Sequence, residues 1–508
     1  MFAAIPSAVI LGARGHPVTV EVHVGSGLPG FHVVGLPDES IRESRDRVRA
    51  AVMSSEAKWP NDKITVNLAP SQQRKSGSGL DLAIAIGVLV ASEQIPLDAV
   101  HDMAFIGELG LDGSTRAVPG VAPMAGVSTA GELVVPVANG HEAWIVCEGQ
   151  VRPVAHLREL IAVLGEERAP WPDHDLTVAD SDDGPHPDLA DVVGQPLARR
   201  ALEIAAAGGH HCLFVGPPGS GKTMLAARLP GLLPDLDREQ ALEVTMIHSA
   251  AGIPLPPGGL VTHPPYRSPH HTSSEASIVG GGSHSLRPGE ISIAHCGILF
   301  MDELPEYHPR VIDTIRQPLE EGEVRVSRAA HHTTIPSRFQ LVAAMNPCPC
   351  GEGGRPGGCD CGEARVARYA GRVSGPLLDR FDLRVRVHRP DVDDLLSGER
   401  GESTAVVAER VRAARWRAEQ RQGAVNADLS PLELDSVAPL APDALAVLRF
   451  EMDKGRLSGR GYHRIRRVAR TIADLDDDPP DVIGEEAITL ALDMRASIGP
   501  LRAGTVAA

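Results

Sequence analysis

The residues best suited to chemistry form a glycine-rich loop with the spacing G-x-x-x-x-G-K-[ST]. They are Gly216, Pro217, Pro218, Gly219, Ser220, Gly221, Lys222 and Thr223. Glycines let backbone N–H groups turn toward phosphate oxygens, Lys222 supplies a positive charge, and the Thr223 hydroxyl is a ligand for Mg²⁺. An apolar run over residues 211–215 precedes the loop, and a helix-forming run over 222–229 follows it. This order of strand, loop and helix predicts a site for a nucleoside triphosphate.

Two carboxylates and one amide form a second candidate set. The apolar run 297–301 ends in Asp302 and Glu303, the Walker B pattern. Asp302 is expected to hold Mg²⁺ through the water shell of the ion, and Glu303 to orient and polarise the attacking water. Asn346 follows a predicted strand over 339–344, so its amide is expected to contact the γ-phosphate or the water. A strand followed by an acidic turn is common, and the upstream loop favours the catalytic interpretation.

Two arginines complete the candidate catalytic residues. Arg380 is a candidate for insertion into the nucleotide site of a neighbouring subunit, where it would stabilise transition-state charge. A surface salt bridge is the alternative for this residue. Arg460 begins a predicted helix and is expected to reach the γ-phosphate within the same chain. Contact with a DNA backbone, or a solvated helix face, remains open for the nearby Arg464, Arg466 and Arg467.

Four of the seven cysteines crowd into two close pairs. They are Cys348, Cys350, Cys359 and Cys361. Four thiolates joined by a glycine-rich loop can form a tetrahedral zinc site, although structural zinc sites usually place two or more residues within each pair. Free or redox-active thiols are the alternative. The odd number of cysteines and their clustering are typical of a protein of the reducing cytosol, not of a disulfide framework.

Two segments are candidates for contact with nucleic acid. One is a long insertion over residues 247–290, whose histidines His270 and His271 are expected to be loop or surface residues. The other is a predicted β-hairpin over 322–335 that carries Arg325 and Arg328. Arginine and backbone groups can follow phosphates without reading sequence. A hairpin that only stabilises the fold is the alternative.

Length and charge limit the possibilities. The 508 residues predict about three domains, and the net charge of −17 excludes a surface that is basic throughout but allows a local basic channel. No run of 18 apolar residues is present, so no membrane partner is expected. We predict an α/β multidomain chain, divided into an α+β domain over 1–165, an acidic linker over 166–187, a nucleotide-binding domain over 188–390 and a helical region over 391–508.

Within the first domain, residues 75–81 and 107–120 resemble the Lon-protease-like domain, an α+β fold of the S5 domain 2 type. In active members of that family a Ser–Lys pair performs the chemistry. Gly79 occupies the position of the nucleophile, and no lysine follows Gly120 where the base should be. Local turn chemistry accounts for Lys75 and Ser78. The resemblance therefore implies a domain without protease activity.

The whole chain resembles the ComM/YifB group of magnesium-chelatase-like AAA+ proteins. Residues 267–272, 287–292 and 346–350 are the most specific matches. The resemblance implies an αβα AAA+ domain with a C-terminal helical lid, ATP and Mg²⁺ as cofactors, and a hexameric ring. It also implies branch migration on single-stranded or branched DNA during recombination in natural transformation. A chelatase-like motor that remodels a protein partner is the alternative, although chelatase motor subunits lack the Lon-like domain and the cysteine cluster.

Overall fold

The computed structural model describes most of the chain. It covers residues 1–71, 75, 77–147, 149–165, 168–174, 187–281, 286–328, 331–352, 359–390, 393, 396 and 400–495, with residues 327, 328, 331 and 332 described by backbone alone. Most of the predicted acidic linker lies outside these residues. Among the helices in the described part of the chain, none combines the length and apolar character needed to cross a membrane.

The first domain is built on a mixed four-stranded sheet. In spatial order its strands are Phe2–Leu11, Arg14–Gly25, Lys63–Ala69 and Gly30–Val34. Val18, Val20 and Val22 alternate toward the core, as period-two patterning predicts. Two helices of this domain are Glu39–Ser54 and Asp81–Ala91, and every residue of the second is buried.

A smaller parallel sheet completes this domain. Its strands are, in spatial order, Met103–Phe105, Glu132–Pro136 and Gln150–Val154. The remaining elements are the strand pair Glu108–Leu109 and Thr115–Arg116 and the helices Val121–Ala125, Gly140–Val146 and Leu157–Leu164.

The second domain is organised around a five-stranded parallel sheet. In spatial order its strands are Tyr266–Arg267, Ile298–Met301, Gln340–Met345, Cys212–Val215 and Leu383–Arg386. All four strand pairings are parallel. Alternate strand residues enter separate cores on the two faces, with Phe214 on one face and Leu213 on the other. Because both faces are covered, the three central strands are almost wholly apolar, whereas the two edge strands contain arginine.

Helices cover this sheet on both faces. They are Pro196–Gly208, Lys222–Ala226, Arg238–Ala251, Glu275–Val279, Glu290–Ile293, Pro309–Thr314, Arg316–Glu321, Glu363–Ala370 and Gly375–Leu378. The helix after the phosphate loop ends at Ala226, earlier than predicted. The Arg228 side chain caps it by donating to the Met224 carbonyl at 2.8 Å.

The predicted β-hairpin is confirmed. Its strands are Glu323–Arg328 and His331–Pro336, paired from Glu323 opposite Pro336 to Arg328 opposite His331. The long insertion is partly structured, since Ile247 lies within a helix and Gly280–Gly281 pairs with Arg287–Pro288.

The C-terminal region is helical. Its helices are Thr404–Gln422, Pro431–Val437, Pro442–Asp453, Gly459–Asp474 and Glu485–Asp493. Val411, Leu448 and Val468 share one hydrophobic core with the sheet residues Phe214 and Phe300. The helices therefore pack against one face of the α/β domain.

The first domain docks on the insertions of the second. Ala13 belongs to a small apolar cluster with Ile247, Ala250 and Ile335, so it contacts both a helix and the base of the hairpin. A hydrogen bond between Ser249 and the Glu142 carboxylate lies in the same contact region. Residues from both sides are buried in this contact, so the linker is not the only connection between the domains.

A buried polar network joins the sheet to the C-terminal helices. The Asp382 carboxylate lies 3.2 Å from Nδ1 of His210 and accepts a 2.6 Å hydrogen bond from Arg464. The other ring nitrogen of His210 lies 2.8 Å from the Thr471 hydroxyl. Burial disfavours the charged carboxylate, but the hydrogen bond from His210 and the charges of His210 and Arg464 lower the pKa of Asp382 below its usual range.

We expect Asp382→Ala to destabilise the α/β domain and its helices by roughly 3 kcal/mol, because it leaves the buried His210 ring and the partly buried Arg464 guanidinium without their carboxylate partner. Denaturant unfolding followed by circular dichroism measures the loss. Asp453→Ala is the control, since its pair with Arg449 is exposed and should contribute less than about 0.5 kcal/mol. The Asp382 contribution is present above about pH 4, where an unfolded aspartate titrates, and disappears on acidification. Equal effects of the two variants would contradict this account.

Candidate nucleotide site

A cavity of about 460 Å³ lies at the carboxyl edge of the parallel sheet. Its lining residues are Pro218, Gly219, Ser220, Gly221, Lys222, Thr223, Met224, Asp302, Glu303, Met345 and Asn346. Three neighbouring strands end here, because parallel strands have their carboxyl ends at the same edge. The structure therefore brings the predicted loop, the two carboxylates and the amide into one cavity.

The loop requires its glycines. Gly219 and Gly221 have φ angles of 72° and 90°, the left-handed region that glycine adopts without strain. Gly216 contacts the strand beside it so closely that a Cβ would lie 2.2 Å from the Val387 carbonyl oxygen. The backbone can thus curve around a phosphate without side chains entering the space.

Lys222 carries the positive charge of the site. Its ammonium donates to the Gly216 and Pro217 carbonyls at 2.8 and 2.9 Å and to the Asn346 amide oxygen at 3.2 Å. Burial lowers the pKa of Lys222, while the charges of Asp302 and Glu303 act in the opposite direction. All three of these acceptors are uncharged, which fits an ammonium that would pair with an anionic phosphate.

The two predicted magnesium ligands are in direct contact. The Thr223 hydroxyl donates to the Asp302 carboxylate at 2.6 Å. The second carboxylate oxygen accepts from the Glu303 backbone N–H at 2.9 Å, which fixes its orientation. Hydroxyl and carboxylate oxygens are the hard ligands that Mg²⁺ prefers, so this donor set fits the ion.

Glu303 has a contact that sequence reasoning missed. Its carboxylate lies 3.3 Å from Nδ1 of His271, which was expected to be a loop or surface residue. His271 is held by ring contacts with His270 and Tyr307. Glu303 itself has a φ of 51°, a strained conformation for a non-glycine residue. No direct signal in the sequence pointed to this contact: His271 was notable only as part of residues 267–272, one of the segments that match the ComM/YifB group most specifically.

The insertion that carries His271 is fixed to the domain by a bidentate ion pair. Arg267 donates to the two Glu290 oxygens at 2.7 and 2.9 Å. The Tyr307 hydroxyl donates to the Pro269 carbonyl at 2.5 Å. Segments 267–272 and 287–292, which residues 273–286 separate in the sequence, therefore meet, and the first of them brings His271 to Glu303.

Arg380 and Arg460, both among the described residues, do not line the cavity. Arg380 donates to the Glu320 carboxylate and to the Pro376 carbonyl. Burial and the charges of Arg316, Arg464 and Arg460 lower the pKa of Arg380. Arg460 is thus close enough to Arg380 for its charge to lower the pKa of Arg380, and it does not line the nucleotide cavity of its own chain.

The hairpin carries two candidate arginines, Arg325 and Arg328, and the structure describes the side chain of Arg325 alone. Arg325 is exposed and donates to the Glu323 carboxylate at 2.7 Å, with Glu321 at 3.3 Å. The hydrogen bond to Glu323 and the charges of both glutamates raise the pKa of Arg325. Arg328 ends its strand opposite His331, and its side chain lies outside the described residues.

The four clustered cysteines converge in space. The Cys348 sulfur lies 3.2 Å from that of Cys350 and 3.6 Å from that of Cys359, and the Cys350 and Cys359 sulfurs are 3.5 Å apart. All four sulfurs, including that of Cys361, lie within 4.8 Å of one another. A zinc ion 2.3 Å from four tetrahedral sulfurs separates them by about 3.8 Å. The donor set fits zinc.

In the first domain, Ser78 and Lys75 have different partners. The Ser78 hydroxyl donates to the Glu108 carboxylate, and the Lys75 ammonium donates to the Pro70 carbonyl. Neither contact joins Ser78 to Lys75, and the partner of Ser78 lies 30 residues away in the sequence. A Cβ added to Gly79 would lie 3.2 Å from the Val118 side chain, so little room exists there for a larger residue.

Comparisons with known proteins cover most of the chain. Family models match residues 188–395 ("Magnesium chelatase, subunit ChlI"), residues 20–139 ("Subunit ChlI of Mg-chelatase") and residues 401–495 ("Magnesium chelatase, subunit ChlI C-terminal"). The uncharacterized protein YifB of Escherichia coli is 42% identical over 96% of this chain and 95% of its own length. Competence protein ComM of Haemophilus influenzae is 42% identical over 94% of both chains. The chain belongs to the magnesium-chelatase-like ComM/YifB family.

Members of the ComM/YifB family contain an AAA+ nucleotide-binding domain, which residues 188–395 match in this chain. A shorter similarity connects the chain to Lon protease 2 of Bacillus subtilis, with 33% identity over 30% of this chain and 29% of that protein. Because the similarity to YifB and ComM covers 96% and 94% of this chain, it includes the first domain and the C-terminal helices as well as the nucleotide site.

We expect His271→Ala to lower kcat for ATP hydrolysis by roughly tenfold, because Glu303 loses the contact that orients it. KM for ATP should stay within about twofold, since His271 does not line the cavity. His271→Asn, which can place an amide N–H near the position of Nδ1, should recover part of kcat. His263→Ala is the control, because that histidine contacts Asp235 on another segment. A rise in KM with unchanged kcat would contradict a positioning role.

Proposed function

We propose that this chain is an ATP-hydrolysing AAA+ motor. The observation that carries the proposal is the contact of Thr223 with Asp302 in the cavity that also contains Lys222 and Asn346. Membership in the magnesium-chelatase-like family supports it. Phosphoryl transfer needs charge stabilisation and a positioned water more than covalent chemistry, and this donor set provides both.

Each residue has a defined role in this proposal. Lys222 exchanges its carbonyl acceptors for the β- and γ-phosphate oxygens, while Thr223 and Asp302 would hold Mg²⁺, which supplies positive charge to the phosphates when bound. Glu303 accepts the hydrogen bond of the attacking water and polarises it. The Asn346 amide, already bonded to Lys222, orients toward the γ-phosphate.

The motor is proposed to be a homo-oligomeric ring, hexameric as the family resemblance implies. Arg380 lies outside the cavity of its own chain, and so does Arg460. A ring would carry these positive charges to the nucleotide of the neighbouring subunit, where an arginine stabilises the transition state. For Arg460 this differs from the role within the same chain that the sequence suggested.

We propose DNA as the substrate on which the motor acts, with branch migration in recombination as its function. The similarity to a protein named for competence, and the family resemblance, support DNA. Within the chain, one strand of the hairpin carries both the exposed Arg325 and Arg328. Because Glu321 and Glu323 already pair with Arg325, a DNA phosphate has to displace them, and binding should depend strongly on salt.

A chelatase-like motor that remodels a protein partner is the second candidate. The description of the matching family models and the pairing of Arg325 with two carboxylates favour it. The net charge of −17 also reduces general attraction to DNA. The two candidates share the nucleotide site and differ in what stimulates it.

If DNA is the substrate, a synthetic four-way junction should stimulate ATP hydrolysis several-fold at low salt and much less at moderate salt. Arg325→Ala should reduce this stimulation and leave basal hydrolysis unchanged, because the residue lies outside the cavity. Arg449→Ala, which removes another exposed and ion-paired arginine from a C-terminal helix, is the control. Hydrolysis that ignores junctions, forks and single strands at low salt would reject the DNA motor and favour protein remodelling.

The proposed ring makes a separate prediction about Arg380. Neither Arg380→Ala nor Glu303→Gln protein should hydrolyse ATP efficiently alone, since each lacks one catalytic group. Mixed rings should regain activity, because an interface between the two variants can combine an intact Glu303 with an intact Arg380. Steady-state hydrolysis is measured across mixing ratios. Activity that never exceeds that of either parent would show that Arg380 does not act across an interface.

A further inference from the structure

The cysteine cluster lies directly against the phosphate loop. Gly351, which follows Cys350, approaches Pro218 so closely that a Cβ on it would lie 2.6 Å from Cδ of that proline. The φ of Gly351 is 82°, so both its conformation and its environment require glycine. The backbone between the cysteines therefore packs on the wall of the nucleotide cavity.

A polar contact reinforces this packing. Arg389 donates to the Pro218 carbonyl at 3.3 Å and to the Glu352 carboxylate at 2.7 Å. Its guanidinium thus connects the phosphate loop to the segment that follows Cys350. At the other end of that segment, Asn346 accepts a hydrogen bond from Lys222. Residues 346–352 consequently contact the phosphate loop directly at two places, through Asn346 and Gly351, and Arg389 links them to it at a third.

We propose that the four cysteine thiolates bind one Zn²⁺ ion, and that this ion holds residues 346–352 in place so that nucleotide affinity depends on zinc occupancy. The inference rests on the proposed nucleotide site and adds a metal requirement to it. Zinc binds as each thiol releases its proton to solvent, with no change in oxidation state.

The chain around the cluster explains why a metal is needed. Between the strand ending at Met345 and the helix beginning at Glu363, the described residues form only turns and irregular segments. A metal that joins both cysteine pairs ties residues 348–350 to residues 359–361, which reduces the conformations that these residues can adopt. The Cys361 backbone N–H donates to the Cys359 sulfur at 3.4 Å, a contact that stabilises a thiolate.

A second group of potential metal ligands differs from the cysteine cluster, because its histidine and glutamate side chains already bond to protein groups. Glu243, His295 and Cys296 also lie close together. Nδ1 of His295 accepts from the Arg338 backbone N–H at 3.0 Å, and its other ring nitrogen lies 2.9 Å from Glu243. Both ring nitrogens are therefore already used. Burial raises the pKa of the Cys296 thiol to about 12, so this group is a hydrogen-bonded structural contact and not a metal site.

The first experiment uses the full-length protein purified under reducing conditions. Elemental analysis should find about one zinc per chain. Removal of the metal with a strong chelator should release thiols to a colorimetric reagent and weaken binding of a fluorescent ATP analogue by roughly tenfold or more. Added Zn²⁺ should restore the affinity. Cys359→Ser with Cys361→Ser should reproduce the chelated state, whereas Cys147→Ser, in the first domain, should retain zinc and affinity.

Three glycine variants test the contact itself. Gly351→Ala should keep about one zinc per chain but weaken nucleotide binding by roughly tenfold, because its Cβ pushes Pro218 away. Gly362→Ala is the control for a residue that follows a cysteine pair, and Gly455→Ala is the control for a positive φ, since an added Cβ meets nothing within 4 Å at either position. The zinc content and nucleotide affinity of both controls should equal those of the unmodified chain.

The outcomes separate the inference from the proposed function. If the zinc-loaded protein does not bind the ATP analogue at all, the proposed nucleotide site fails. If it binds equally well with and without zinc, or if Gly351→Ala binds as Gly362→Ala does, only the coupling to zinc is overturned. Absence of zinc in the reduced protein, with all four thiols reactive, would reject the metal site.

Discussion

The hydrogen bond between the Thr223 hydroxyl and the Asp302 carboxylate joins two segments that only a parallel sheet can bring together. The strands that precede them are separated in the sheet by Gln340–Met345, whose end supplies Asn346. Because parallel strands share one carboxyl edge, three chemically different side chains converge there. Both faces of the sheet are buried under helices, which keeps this edge fixed in position.

Other parts of the chain adjust this edge from three directions. The insertion brings His271 to Glu303, the cysteine cluster packs on Pro218, and the C-terminal helices reach the base of the sheet through Asp382. Each contact acts on a different component of the site: the Glu303 carboxylate, the phosphate loop or the strand framework. In the proposed motor, regulation can thus enter through segments remote in sequence from the phosphate loop.

The positive charges around Arg380 do not line the nucleotide cavity of their own chain. Burial and its arginine neighbours disfavour its charge, yet its only carboxylate partner among the described contacts is Glu320. Arg460 contributes to the same field and also lies away from the cavity of its own chain. Such a concentration of cationic groups favours an anionic partner, and the phosphates of a neighbouring subunit are the partner that the proposed ring provides.

The local chemistry follows from the amino-acid sequence alone: the phosphate loop, the carboxylates Asp302 and Glu303, the hairpin and most helices, because loop spacing and hydrophobic periodicity are local properties. Motifs spread over the chain also identify the family. Three features emerge only from the folded chain: His271 contacts Glu303, Gly351 packs on Pro218, and Arg460 does not line the cavity of its own chain. These contacts join residues far apart in sequence, so they depend on strand order and loop path, which no local pattern encodes.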